Sequence, residues 1–219
     1  MKVLLISSSP HKEKSKTFFL AKEVLRALEQ EGVDTEVIHL DDHRIFFCKH
    51  CEECHKKILH CRITDDVHII LKKMLECDGI ILATPNYIYQ VTASMKALFE
   101  RSASFIHCKR LMGKYIAGVV SSGSGQDQDV LDYIKLYANA CGAQYSGGVS
   151  SAAYSVEQKK DQAFESGRQL ALDIKEKKAY PQQLELIEKG KQHFRKIVEL
   201  RKKDWEEEYQ YWQKMGWIV

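Results

Sequence analysis

Short apolar segments alternate with longer stretches of helical periodicity over the first 178 residues, and this alternation constrains the fold more than any other feature. The predicted strands are 2–7, 34–40, 79–84, 115–122 and 143–149. The predicted helices are 17–31, 65–78, 91–105, 127–141 and 156–178. Strands joined by helices of this length form parallel β-α-β units. We therefore predict an α/β fold with a doubly wound, five-stranded parallel sheet in the order 2-1-3-4-5.

The composition favours a cytoplasmic protein with no nucleic-acid or membrane partner. Its 33 basic and 30 acidic side chains are mixed along the chain, so no basic patch predicts nucleic-acid binding. No apolar run is long enough to cross a bilayer, and the apolar part of "MKVLLISSSPHKEK" is too short for a signal peptide. The chain has seven cysteines, and in a reducing compartment this odd number favours metal or redox chemistry over disulfides.

Pro181 marks the expected end of the sheet domain. We predict a domain over 1–180, with a cysteine-rich loop over 44–64 after strand two, and a C-terminal helical tail over 181–219. The tail is highly charged, yet one helical face carries Phe194, Val198, Trp205, Tyr209 and Trp212. Such an apolar stripe should not remain in water. It either folds back on its own domain or packs against another subunit, and the sequence leaves both alternatives open.

Three polar loops follow predicted strands one, three and four. In a parallel sheet of this order, ligands bind outside the carboxyl ends of the strands, between strands one and three. The first loop has hydroxyls and cations before a helix, which suits a phosphate, and its candidate binding residues are Ser9, His11, Lys12, Ser15, Lys16 and Thr17. The second loop has aromatic rings for a flat ligand, and its candidates are Pro85, Asn86, Tyr87, Ile88 and Tyr89. The candidates in the third loop are Ser121, Ser122, Gly123 and Gly125.

Each of these loops, taken alone, is also compatible with a purely structural role. The first could be a surface loop with a helix cap, and the other two could be plain turns. Because three such loops are expected to meet at one crevice, a binding site is the better interpretation. The first loop lacks the GxxxxGK[ST] pattern, so hydrolysis of a nucleoside triphosphate is not expected.

Four of the seven cysteines lie within fourteen residues, in the pattern C-x2-C-x2-C-x6-C. The predicted metal ligands are Cys48, Cys51, Cys54 and Cys61. Iron–sulfur clusters are held by four thiolates, and compact CxxCxxC runs are typical of them. Zinc is the main alternative, because three histidines are interleaved with the cysteines, although zinc sites more often use two separated pairs. The remaining cysteines, Cys77, Cys108 and Cys141, are expected to pack in the core.

The loops together resemble those of the NADPH-dependent FMN reductases of the flavodoxin-like superfamily. The resemblance rests on "SSPH" at 8–11 with "SKT" at 15–17, "PNY" at 85–87, "MK" at 95–96 and "ER" at 100–101. Ser8 stands where the family usually has glycine, and His11 where it usually has arginine. The resemblance implies FMN as the cofactor, with its phosphate in the first loop and its isoalloxazine ring against the other two.

The cysteine pattern after strand two, followed by "DDV" at 65–67, resembles the iron–sulfur flavoproteins. In that family the four cysteines bind a [4Fe-4S] cluster, and subunits associate so that a cluster approaches the flavin of a neighbour. The resemblance covers about residues 1–178 and implies FMN and a [4Fe-4S] cluster here, with zinc or an empty loop as alternatives. It also implies a homodimer or homotetramer.

These residues predict a flavin-dependent oxidoreductase that transfers electrons between a one-electron carrier and a two-electron acceptor. We expect small-molecule or protein electron donors and acceptors, including a ferredoxin-like carrier, and no side chain that acts as a general acid or base. The alternative is an NAD(P)H-dependent FMN or quinone reductase, in which the cysteine loop is structural, zinc-bound or empty. In that enzyme NAD(P)H is a transient donor, so the absence of a GxGxxG motif does not count against it. A zinc-stabilised binding module without catalysis is a third interpretation.

Overall fold

Five buried parallel strands form the centre of the molecule in the computed structural model, which describes residues 1–123 and 125–218. The strands are β1 (Lys2–Ser7), β2 (Asp34–His39), β3 (Gly79–Pro85), β4 (Tyr115–Ser122) and β5 (Gln144–Ala152). They pair in the order β2-β1-β3-β4-β5, and every neighbouring pair is parallel. The predicted fold class and strand order are therefore confirmed.

Nine helices are found in the described part of the chain, besides short 3-10 turns. They are α1 (Lys16–Gln30), α2 (Glu53–Lys56), α3 (Val67–Glu76), α4 (Ala93–Arg101), α5 (Ala103–His107), α6 (Asp127–Cys141), α7 (Lys160–Glu176), α8 (Pro181–Leu200) and α9 (Glu206–Lys214). No helix among them is both long and apolar enough to span a bilayer.

One predicted helix, 91–105, is wrong as a single element because the chain breaks it at Ser102 into α4 and α5. The hydroxyl of Ser102 donates to the carbonyl oxygen of Phe99, at 2.8 Å, and lies 2.9 Å from the hydroxyl of Tyr137. A serine side chain that bonds its own preceding turn competes with the helical backbone pattern. The predicted helix over 156–178 likewise begins with a 3-10 turn before α7.

Alternate residues of the strands enter two cores, one on each face of the sheet. Leu4 and Ile6 point into the core under α3, α4 and α6, whereas Val3 and Leu5 point into the core under α1 and α7. Cys77 and Cys141 belong to the first of these cores and are almost fully buried. Their predicted role in core packing is confirmed, and Cys108 is buried beneath the tail.

Helices α1 and α7 lie side by side, and Gly167 of α7 allows their close approach. A Cβ atom at position 167 would lie 2.4 Å from the carbonyl oxygen of Val24 and 2.8 Å from the Cβ of Ala27. The first distance involves backbone, which cannot move aside as a flexible side chain would. Gly167 is therefore required by packing rather than by backbone conformation.

Replacement of Gly167 by alanine is expected to lower the free energy of unfolding by about 1–3 kcal/mol, because the methyl group overpacks the contact. Gly190 is the matched control, since it also lies in a helix but an added methyl there would meet the flexible end of Lys109. Gly190→Ala should be neutral or stabilising by up to about 1 kcal/mol. Urea denaturation measures both changes, and equal effects at the two positions would contradict this account.

A buried ion pair between Asp65 and Arg101 holds the two ends of the cysteine loop, residues 44–64, together. These joined ends are here called the neck of the loop. The two guanidinium N–H groups donate to the two carboxylate oxygens over 2.6 and 3.0 Å. Asp65 also accepts from the backbone N–H of Phe46 at 2.9 Å, and Arg101 donates to the Phe46 carbonyl at 2.8 Å. Both ends of the cysteine loop are thus tied to α4.

Burial alone would raise the pKa of Asp65, but the hydrogen bonds from Arg101 and the Phe46 N–H outweigh it and hold the pKa below its usual value. Asp65→Asn should therefore lower the free energy of unfolding by about 3–5 kcal/mol near neutral pH. The difference should persist above the unfolded-state pKa of about 3.9 and shrink as pH falls through the lower folded-state pKa.

The neighbouring Asp66→Asn is the control for this prediction, because its carboxylate accepts a backbone N–H from Arg44 at 2.8 Å and is more exposed. Its cost should stay below about 1.5 kcal/mol. Urea denaturation at neutral and acid pH gives both values. A pH-independent difference between wild type and Asp65→Asn would show that the ion pair does not hold the neck.

The tail folds back on its own domain, which selects one of the two alternatives that the sequence left open. Gln183 of α8 bonds to the backbone of Tyr145 and to Asn139, at 2.7–2.9 Å. Trp205 and Trp212 are buried in a cluster with Cys108 and Val198. The tail is also two helices rather than one, broken over 201–205. Since the apolar stripe is used within the chain, the predicted homodimer or homotetramer rests on the family resemblance alone.

Candidate functional site

The three predicted ligand loops meet at the carboxyl edge of the sheet around a cavity of about 240 Å³, here called the loop cavity. Its predicted lining residues are Ser9, His11, Ser15, Lys16, Thr17, Pro85, Asn86, Tyr87, Ser121, Ser122 and Gly123. Lys14 and Ala153 also line it, although the sequence analysis did not select them. Four predicted residues do not line it, namely Lys12, Ile88, Tyr89 and Gly125. Parallel strands that end at one edge bring these distant loops together.

The first loop uses some of its polar side chains within the protein. The hydroxyl of Ser15 caps α1, accepting from the backbone N–H groups of Thr17 and Phe18 at 3.1 and 3.4 Å. The Thr17 hydroxyl lies 2.6 Å from that of Ser121, which ties the first loop to the third. Lys12 turns away, because its ammonium pairs with the carboxylate of Asp42. Lys14, two residues later, is the lysine of this turn that lines the cavity.

The second loop is anchored to the third at its base. Asn86 donates through its backbone N–H to the Ser121 carbonyl at 2.7 Å, and through Nδ2 to the carbonyl oxygens of Gly125 and Gln126 at 3.2 and 3.3 Å. Gly125 therefore lies behind the cavity wall and supports Asn86. Its backbone N–H donates to the Ser122 hydroxyl at 2.9 Å.

The tip of the second loop is a two-residue turn between Tyr87 and Gln90, whose backbones bond reciprocally at 2.9 and 3.2 Å. Ile88 and Tyr89 occupy its central positions with positive φ angles of 51° and 63°. A β-branched residue is rarely found in this conformation, and Ile88 is 91% exposed. The tip therefore extends into solvent instead of covering the loop cavity, while Tyr87 alone of the three lines it.

The loop cavity suits FMN in the chemistry of its lining. Hydroxyls, the N-terminus of the fifteen-residue helix α1 and the side chains of His11, Lys14 and Lys16 match a phosphate. One acceptor, Asn86 Oδ1, is buried without a hydrogen-bond partner, and a ring N–H of a bound heterocycle would satisfy such an atom. Aromatic contact is offered by Tyr87. The residues present therefore fit this cofactor.

The four cysteines of the motif line a second and larger cavity of about 640 Å³, here called the thiol cavity. Cys48 and Cys51 are exposed, whereas Cys54 and Cys61 are half-buried. The sulfur of Cys61 lies beside the Arg101 guanidinium, so the ion pair at the neck also borders the thiol cavity. Four thiols around one cavity are the donor set of an iron–sulfur cluster. The residues present fit that group too.

Tail residues complete the wall of the thiol cavity, a feature that the sequence analysis missed. The tail contributes Phe194, Ile197 and Trp205 to this wall, and His55 and His107 also line the cavity. In the described part of the chain, the one group of three metal-ligand side chains whose ligand atoms lie within 4.8 Å is His55, His107 and Glu208. The cysteines surround a space instead of converging on one point.

Glu208 is fully buried and accepts from the Nδ1 atoms of His55 and His107 over 2.8 and 3.1 Å. Burial alone would raise the pKa of Glu208, but the two imidazoles outweigh it and lower the pKa. Burial would likewise lower the pKa of His55, yet the neighbouring Cys54 and Glu208 raise it. The carboxylate is therefore charged at neutral pH and is balanced by histidine.

The remaining cysteines differ in character from the motif. Burial raises the pKa of Cys77 to about 11 and that of Cys141 to about 12, and it raises that of Cys108 further. These side chains stay protonated and inert at neutral pH, because the thiolate is the reactive and metal-binding form. Among the seven cysteines, the four of the motif are therefore the candidates for metal binding.

Comparisons with known proteins identify relatives of this chain. A model of the family described as NADPH-dependent FMN reductase matches residues 1–157. An iron–sulfur flavoprotein of Methanocaldococcus jannaschii is 42% identical over 127 residues, which cover 58% of this chain and 64% of that protein. An iron–sulfur flavoprotein of Archaeoglobus fulgidus is 38% identical over 124 residues, or 56% of this chain and 60% of that protein. The matches thus span less than two thirds of these two relatives.

A third relative, an iron–sulfur flavoprotein of Methanosarcina thermophila, is 34% identical over 144 residues, covering 63% of this chain and 74% of that protein. Among solved structures, an NAD(P)H:quinone oxidoreductase from Methanothermobacter marburgensis has a TM-score of 0.60 at 15% identity and covers 78% of this chain and 96% of its own. A flavodoxin from the Archaea has a TM-score of 0.56 at 15% identity, covering 80% and 99%. At these identities the structural likeness establishes the fold alone.

The resemblance predicted from the loops and the cysteines is therefore confirmed. The family model covers well over half of the sequence, and the curated relatives carry one shared description. The chain belongs to the NADPH-dependent FMN reductase family, among its iron–sulfur flavoproteins, and has their flavodoxin-like fold.

Proposed function

We propose that the protein is an FMN-dependent oxidoreductase with an iron–sulfur cluster, which transfers electrons between a one-electron carrier and a two-electron acceptor. One observation carries the proposal: a polar cavity at the strand-order reversal and a cavity lined by four cysteines lie on loops that leave the same edge of one sheet. When bound, FMN supplies one- and two-electron chemistry, and the cluster supplies one-electron transfer.

The loop cavity would hold FMN through residues that bind and orient it. The ammonium groups of Lys14 and Lys16 would neutralise the phosphate, the His11 side chain would contact it, and hydroxyls of Ser9 and Thr17 would donate to it. Asn86 and Tyr87 border the part of the cavity beyond these groups and would contact the ring. Lys12, Ile88, Tyr89 and Gly125, which the sequence also selected, are left out of this proposed set.

The thiol cavity would hold a [4Fe-4S] cluster through Cys48, Cys51, Cys54 and Cys61. The arrangement of four thiols around an open space favours a group of several atoms over a single tetrahedral zinc ion, whose sulfur ligands lie about 2.3 Å from the metal. Arg101, whose charge is balanced by Asp65, lies beside Cys61 at the wall of the thiol cavity.

A plain NAD(P)H-dependent FMN or quinone reductase is the second candidate function. The description of the matching family favours it, and NAD(P)H as a transient donor would need no site beyond the exposed face of the flavin. In that case the four cysteines would be structural, zinc-bound or empty. Iron content therefore separates the two candidates. Donors, acceptors and any ferredoxin-like carrier belong to the proposal as well.

Lys14→Ala is expected to weaken FMN binding about tenfold, or by about 1.4 kcal/mol, because a cation facing the phosphate is lost. Lys12→Ala is the matched control from the same turn, since its ammonium is held by Asp42, and its effect should stay within about twofold. Fluorescence titration with FMN and with riboflavin measures both.

Riboflavin lacks the phosphate, so its affinity should be equal in wild type and Lys14→Ala. An equal loss for both flavins would contradict the phosphate role of Lys14. A larger loss for Lys12→Ala than for Lys14→Ala would contradict the assignment of the two lysines.

In protein prepared without oxygen, Cys51→Ser is expected to lower the content of iron and acid-labile sulfide from about four of each per chain to well below one. Cys77→Ser is the control, because this buried thiol lies in the core and should leave iron unchanged. FMN content should be the same in both variants. Iron retained by Cys51→Ser, or bound flavin with no iron in the wild type, would contradict the cluster.

A further inference from the structure

The tail, residues 181–219, lies outside the segment that the family model matches, and its helix α9 contacts α2 in the middle of the cysteine loop. The most buried contact is that of Glu208. Its carboxylate is 0% exposed and joins His55 of the cysteine loop to His107 of α5. The Nε2 atom of the same His55 lies 4.0 Å from the sulfur of Cys54. Glu208 therefore fixes the residue next to a predicted ligand.

A second set of contacts centres on Trp205, between α8 and α9. Its ring lies 4.6 Å from that of His55 and 4.9 Å from that of His107, measured between centroids. Its Nε1–H donates to the carboxylate of Glu52 at 3.1 Å, and the guanidinium of Arg201 pairs with the same carboxylate. These contacts bind the residue that follows Cys51.

A third contact involves the backbone. The carboxylate of Glu207 accepts from the N–H of Ile58 at 2.7 Å. All three sets fall within residues 52–58, between the second and the fourth cysteine of the motif. This stretch contains a non-glycine residue with positive φ, Glu52 at 59°, and a conformation of that kind persists where surrounding contacts enforce it.

From these contacts we propose that the tail is a clamp that positions the cysteine loop and closes one wall of the thiol cavity, so that it determines how long the cavity retains its metal. The inference rests on the proposed cluster site and deepens it. Glu208, Trp205 and Arg201 are positioning residues, since they act through His55 and Glu52. The neck at Asp65 holds the ends of the loop, and the clamp holds its middle.

The physical reason is conformational entropy. A long loop tied only at its ends samples many conformations, and each residue that is fixed before metal binding lowers the entropic loss on binding. The tail fixes the stretch that carries Cys54 and leaves Cys48 and Cys51 on the exposed side. Metal should therefore leave, and oxidants should enter, from the side away from the tail.

The test is Glu208→Gln, with Glu206→Gln as the matched control, because Glu206 is an exposed carboxylate two residues away on α9. In full-length metal-free protein, iodoacetamide should label Cys54 about tenfold faster in Glu208→Gln than in wild type, since local opening becomes more frequent. Glu206→Gln should label as the wild type does. Mass spectrometry resolves the rate at each cysteine.

Buried Cys77 reports on global unfolding in the same experiment. Faster labelling of Cys54 with unchanged Cys77 supports a local clamp, whereas parallel acceleration of both would overturn it. Unchanged labelling of Cys54 in folded Glu208→Gln and in Trp205→Ala would also overturn it. This labelling needs no metal, so it tests the clamp even in protein that holds no iron. An absence of iron from the wild type would instead contradict the proposed function.

In protein loaded with iron, the clamp predicts release to a ferrous chelator in air about fivefold faster for Glu208→Gln than for wild type, with the affinity for FMN unchanged. The flavin site is an internal control here, since none of its lining residues belongs to the tail. Equal iron release from the two proteins would contradict the clamp.

Discussion

All five strands of the sheet run parallel, and this common direction determines where the loops of the molecule meet. Because each strand ends at the same edge, the loops after β1, β3 and β4 meet there although 104 residues separate Thr17 from its partner Ser121. The reversal of strand order between β1 and β3 opens the crevice that these loops line. The cysteine loop follows β2 and therefore leaves the sheet at the same edge.

Two sets of contacts hold the long cysteine loop in one conformation, in which it lines the thiol cavity. The Asp65–Arg101 pair ties its ends to α4, the helix that follows the second ligand loop. The tail then contacts its middle through Glu208, Trp205 and Arg201. Each set includes a buried charge pair, Asp65 with Arg101 in the first and Glu208 with His55 in the second. These pairs restrain a loop that has too few apolar residues to form a core of its own. The fold thereby restrains the proposed metal site at a position where hydrophobic packing alone gives little restraint.

The sequence predicted the sheet well, because strands buried on both faces have continuous apolar runs that set them apart from amphipathic helices. Strands one and four have the predicted bounds, and the strand order is correct. The candidate site was predicted less completely. Lys12 and Lys14 lie in one turn of similar composition, and which lysine faces the cavity depends on Asp42, a contact across 30 residues. No local pattern reveals such a partner.

The tail shows the same limit more clearly. The apolar stripe of the tail was visible in the sequence, but the break of the helix over 201–205 was not. The partners of Glu208 are His107 and His55, which lie 101 and 153 residues away along the chain. The sequence alone does not distinguish the buried Glu208 from its neighbours, the exposed Glu206 and the half-buried Glu207. Residues 65–67 and 100–101 did carry a signal, since both belonged to the motifs of the family resemblance, yet their pairing required the structure.

The stoichiometry of flavin, iron, zinc and acid-labile sulfide in protein purified without oxygen decides whether both cofactors are present. We expect one FMN per chain with about four irons and about four sulfides, and no zinc. Flavin without iron would contradict the cluster and leave a plain FMN reductase. Zinc without flavin would contradict both assignments and leave a metal-stabilised protein of another kind.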